Sequence, residues 1–202
     1  MFAAIAKRVF GILTRPGTEW PVIAGESVGR NGFILAYAAV LLTIPPLVLV
    51  ALGVVGIGFA NASAATVLTI GVTGLLATMS LVLLLAVIVR WVARALDVAM
   101  DYGHAFSFTI HATTPMWISA AIGNMIDPIQ RLLAVVAFGW AIVLIAKGAT
   151  AMLGIAREKR GVFTYTIALS LILLWLIVLG AVLGVVFAVL GGDVAGQFAR
   201  AR

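Results

Sequence analysis

Residues 66–89 read TVLTIGVTGLLATMSLVLLLAVIV, 24 residues without a charged side chain, and the run stops at Arg90-Trp91. A helix of that length extends about 36 Å, enough to cross the roughly 30 Å hydrocarbon core of a bilayer. Apolar residues cover every face, leaving no polar stripe for water. Four further runs share this character, over 33–55, 105–125, 132–153 and 162–190. Of all 202 residues 64% are hydrophobic and only 10% charged, and the mean hydropathy is +1.23. A soluble domain carries about 25% charged residues. A chain of this size also leaves too much surface in water to hide the excess apolar groups. The sequence therefore predicts an all-α polytopic membrane bundle of five transmembrane helices over 31–192. A cytoplasmic interfacial segment, 1–30, precedes it, and a short tail, 193–202, follows.

Within these runs the punctuation is informative. Pro45-Pro46 removes two backbone donors from the first span and predicts a kink or break at mid-depth. The second span's helical pattern continues past the membrane to about Tyr102. The fifth run is longer than a bilayer requires and predicts tilt or projection. Ahead of the first span, Phe2, Ile5, Val9, Ile12 and Leu13 recur at helical spacing, with Lys7 and Arg8 outside the stripe. That pattern predicts an amphipathic helix lying in the headgroup layer of the cytoplasmic leaflet. Residues 14–21 then break it with Pro16 and Pro21, and Trp20 carries the ring favoured at the membrane–water interface.

Charge sets the orientation. Lys7, Arg8, Arg15, Arg30, Arg90, Arg94, Lys147, Arg157, Lys159 and Arg160 fall on the N-terminal side of a five-span chain, and Arg131, Arg200 and Arg202 on the other, 10 of the 13 basic residues against 3. The positive-inside rule then predicts a cytoplasmic N-terminus, a C-terminus across the membrane and a multi-pass protein of the bacterial inner membrane. The net charge of +6 answers to anionic lipid, not nucleic acid, since no basic run is interleaved with aromatics. There is no cysteine, which excludes disulfides and thiolate chemistry. Lys7 and Arg8 interrupt the first apolar stretch, so no signal peptide is expected there.

Several short motifs occur in a telling order. Arg15-Pro16 with Trp20 precedes the first span; Asp101-Tyr102-Gly103 with Ala105-Phe106 opens the third; Thr114-Pro115-Met116-Trp117 lies inside it; and Arg157-Glu158-Lys159 follows the fourth. On five spans, this order resembles the Yip1 family of small membrane proteins. The resemblance implies a five-span fold, with Arg15, Pro16, Trp20, Tyr102 and Gly103 as family-motif positions. It further implies a non-enzymatic role: the family's eukaryotic members are associated with Rab GTPases and vesicle traffic. This chain lacks the long soluble N-terminal tail of those members.

Candidates for chemistry are few, with two histidines and seven acidic residues. No Ser/His/Asp grouping, phosphate-binding loop or zinc motif is present, so no catalytic residue, cofactor or metal is expected. Arg90, Arg94, Asp97, Asp101 and His104 stand at offsets of 4, 3, 4 and 3 and would share one face if the second helix continued. Such a face is either a mouth for a cation or, more simply, a salt-bridge ladder. His111, Thr113, Thr114, Pro115 and Asn124 make the third span the most polar. Polar groups at that depth face the bundle interior, as a pathway or as packing glue between helices. His111 is expected to point inward and to bond a neighbouring helix or buried water. Gly180 and Gly184 form a small-xxx-small pair, for packing within the bundle or for self-association. Two functions follow: a membrane-organising protein that binds lipids and other membrane proteins, or a small channel or transporter for an ion or solute through the third span. A water-accessible route to His111 would favour the second, and a dry bundle the first.

Overall fold

A computed structural model describes residues 1–26, 31–55 and 63–200. Among them every regular element is a helix: α1 (Phe2–Thr14), α2 (Pro16–Gly25), α3 (Asn31–Val54), α4 (Ala64–Ala95), α5 (Tyr102–Ala112), α6 (Thr114–Met125), α7 (Asp127–Ala151) and α8 (Arg160–Arg200). Among the described residues four helical stretches are long and apolar enough to cross a membrane: Gly32–Val54, Ala64–Ala95, Ile129–Ala151 and Arg160–Val189. The run expected as a third span is instead two helices of 11 and 12 residues, meeting at Thr113, and neither is long enough alone. Pro115 explains the split: it has no N–H to return to the carbonyl one turn earlier, and its ring crowds that turn.

The α4 helix packs against α3, α5 and α8, while α6 packs against α3 and α7, and α2 lies on α7. Trp20, Tyr37, Phe108, Phe163, Leu85, Ile110 and Leu144 are fully buried where these helices meet. The α8 helix is different. Its 41 residues begin near this core, yet no residue of its most apolar stretch is fully buried, where in the other three spans 28–33% are. It also runs through the residues expected to form a tail, as far as Arg200.

Other expectations change. The α3 helix continues unbroken through Pro45 and Pro46. Its neighbour supplies polar company there, with the Asn124 side-chain amide donating to the Pro45 carbonyl at 3.0 Å. The α4 helix ends at Ala95 and does not run on to Tyr102. Asp97 sits in the left-handed region at φ 68°, Val98 N–H returns to Ala93 O at 2.9 Å, and Asp97 N–H to Arg94 O at 3.1 Å. This is the Schellman closure, with aspartate in the place glycine usually takes. The prolines at 16 and 21 break the N-terminal segment for one residue only: Pro16 starts α2, where its missing N–H costs nothing, and Pro21 lies within it.

The apolar stripe of α1 is used against the protein. Ile5 and Ile12 are buried and Val9 and Leu13 pack on the same core, while Phe2, expected in the stripe, is exposed. Trp20, expected at the interface, has no exposed surface at all. Its ring finds apolar neighbours on two bundle helices, which removes more surface from water than an interfacial position would.

Candidate functional site: a sealed histidine beneath the N-terminal hairpin

The α1 and α2 helices fold back on each other at Arg15, and Gly11 leaves the space that Glu19 fills, since a Cβ there would lie 2.5 Å from the Glu19 carboxyl carbon. Arg8 closes the hairpin. Its guanidinium bonds to Glu26, lies 3.5 Å from a Glu19 oxygen and stands 5.8 Å over the Phe33 ring, with only 10% of the side chain exposed. The helix that carries Arg8 is expected in the headgroup layer, yet Arg8 itself meets two carboxylates eleven and eighteen residues on. This positions Trp20, whose indole stacks on Phe108 at 5.3 Å between centroids and meets the His111 imidazole edge to face at 6.5 Å.

His111 has no exposed surface. It points inward as expected, but its Nδ1 bonds its own helix, donating to Ser107 O at 2.7 Å, and not a neighbouring one. That bond fixes the proton on Nδ1 and leaves Nε2, in the neutral ring, as an acceptor. Tyr37 of α3 stacks on the imidazole at 4.4 Å and 19°. The Tyr37 hydroxyl lies 2.8 Å from Thr114 Oγ1, which itself donates to Ile110 O, so the phenol donates to the threonine. Thr109 and Thr113 likewise donate to carbonyls one turn back, and the Trp117 indole N–H donates to Thr113 Oγ1 at 3.0 Å. The threonines beside Pro115 therefore satisfy backbone and side chains together.

The remaining member of that set stands apart. Asn124 bonds Pro45 O of α3, thirteen residues and about three and a half turns from His111. Buried Trp20 Nε1 and His111 Nε2 find no partner among the described residues. A groove of about 400 Å³ lies between α6, α7 and α8, lined among others by Trp117, Phe138 and Trp175, and His111 is not in its wall.

The charged cluster from Arg90 to His104 is divided by the turn at Asp97. Asp97 bonds Lys159 at 2.6 Å, and Lys159 Nζ also donates to Leu96 O at 3.3 Å. The Lys159 hydrogen bond holds the Asp97 carboxyl below the usual carboxylate range. Asp101 caps α5, accepting from His104 N–H at 2.8 Å and facing His104 Nδ1 at 2.7 Å, and these bonds lower its pKa too. Arg90 and Arg94 pair with neither aspartate, because the chain leaves the helix between them. Among the described residues no group of three or more His, Asp or Glu could hold a metal ion.

Of the family-motif positions, Arg15 and Pro16 form the hairpin turn, Tyr102 donates to Leu83 O at 3.2 Å, and Gly103 lies in the first turn of α5. Gly180 and Gly184 face open space, with no neighbouring atom where a Cβ would stand, so the bundle does not use them for packing. Sequence reasoning passed over Tyr37, Phe108, Phe163 and Gly148. A lone tyrosine in an apolar span was the available signal for Tyr37; the others read as ordinary span residues.

A comparison with curated proteins and with solved structures found no match. The Yip1 domain model matches residues 10–180, from within α1 to about the middle of α8, and on that match the chain is a membrane protein that belongs to the Yip1 domain family.

Proposed function

We propose that this protein works without catalysis, as a Yip1-type membrane protein that organises the bilayer around it or binds partners within it. The observation that carries this reading is the closure over His111: Trp20, Tyr37, Phe108 and the imidazole are all without exposed surface, on the side from which a solute would approach. Packed aromatics in that position favour a dry bundle over a conduit. On this reading α5 and α6 are two halves of one crossing, which brings the spans to five. The basic count supports a cytoplasmic N-terminus and a C-terminus across a bacterial inner membrane. Its partners are membrane lipids, other membrane proteins, or a second copy meeting it through Gly180 and Gly184.

Reconstitution tests the reading. Proteoliposomes are expected to pass protons and small cations no faster than protein-free vesicles, with or without His111→Ala. A flux that depends on His111 overturns it in favour of transport. Because the chain has no cysteine, single cysteines introduced at each end report sidedness directly. Labelling of both ends from one side would refute five spans.

A further inference from the structure

We propose that the groove between α6, α7 and α8 seats one acyl chain of a phospholipid from the leaflet that the α6–α7 turn faces. This rests on the membrane-spanning reading of α7 and α8 and names a ligand for it. The walls are Trp117 and Met116 of α6, Ala134 and Phe138 of α7, and Ile172 and Trp175 of α8. Trp117 is held rigid by its bond to Thr113, so that wall is preformed. The groove runs along α7 from Gln130 to Phe138, eight residues and about 12 Å. That is close to one leaflet's half of the roughly 30 Å hydrocarbon core.

The lining decides the occupant: apart from Ser119 and Gln130 its wall residues are apolar, and hydrocarbon is what the medium around spans α7 and α8 supplies. The outer end carries the matching polarity. Gln130 closes against α6, where Gly123 leaves it room, since a Cβ there would lie 2.8 Å from Gln130 Cγ. Arg131 follows, exposed, at the depth where the phosphate of that lipid lies.

The test uses the full chain in phosphatidylcholine vesicles doped with a phosphatidylcholine whose acyl chain bears a photoreactive diazirine. Peptide mapping after illumination is expected to find label enriched on 116–120, 130–138 and 172–175 over the equally lipid-facing Leu68, Val72 and Leu76 of α4. Ala134→Phe, or Ala120→Leu where the first disturbs folding, fills the groove and is expected to abolish the enrichment while α4 keeps its label. Even labelling of all spans, or enrichment that survives both substitutions, overturns the proposal. A photocrosslinker at Val135 that joins two copies overturns it in favour of self-association. A chain that takes no label even on α4 is not in the bilayer, and then the spanning reading falls as well.

Discussion

Gly148→Ala adds one methyl group where two buried aromatic rings crowd the helix. The new Cβ would lie 2.7 Å from two atoms of the Trp20 indole and 2.8 Å from Phe108 Cε2. Both rings are fully buried and stacked on each other, so neither can swing into solvent to make room. Two effects compete. Alanine within a helix is favoured over glycine by about 0.5–1 kcal/mol, and overpacking a tight core costs about 1–3 kcal/mol. The contact should prevail, for a net loss of about 1–2 kcal/mol, or about 2–8 °C in Tm for a chain of this length. Thermal unfolding in detergent micelles, followed by circular dichroism, measures it. Trp20→Ala vacates the space, so Gly148→Ala on that background should cost less, with a coupling of about 0.5–3 kcal/mol. If Gly148→Ala alone is as stable as the parent, the indole is not wedged against α7 and the hairpin is not held where it lies.

Two more perturbations probe the charged groups at Arg8 and Asp101. Arg8→Gln leaves Glu19 and Glu26 half-buried and facing each other; the loss of their charged hydrogen bonds should cost about 1.5–3 kcal/mol, and Glu26→Gln added to it should recover part of the stability in the same melts. Asp101→Ala removes the α5 cap and should cost about 0.5–2 kcal/mol near neutral pH. Because the folded-state carboxyl sits below its ordinary range, that contribution is present above the unfolded pKa of about 3.9 and fades as pH falls through the lower folded value. The gap between parent and variant should narrow in acid, and a gap that stays constant down to about pH 3 would contradict the cap.

The membrane character was legible because lipid imposes it residue by residue: 66–89 has no charge to place in water and lies within α4 as observed. The interruption at Pro115 was legible in part, since proline and its neighbouring threonines announce a disturbed backbone locally. What failed to show was everything set by distant partners. Trp20 suits an interface or a core equally well, and only the fold-back at Arg15 decides between them. Arg8 finds Glu26 across the hairpin for the same reason. The end of α4 escaped because Asp97 takes a left-handed turn that sequence patterns assign to glycine. With the helix ended there, the regular offsets from Arg90 to His104 no longer described a shared face.

The bond between Asn124 and Pro45 makes α6 a lever with both ends fixed. Its root at Thr113 is held by a hydroxyl that serves Thr109 on one side and Trp117 on the other. Its tip, eleven residues on, lies about 16 Å away. The tip bond measures 3.0 Å, and a hydrogen bond is spent by about 3.5 Å. A swing of about 2° along that bond is therefore enough to release it. α6 is thus tied to α3 by a side-chain amide at one end and by the Thr114–Tyr37 hydroxyl bond at the other, a goniometer without a covalent screw.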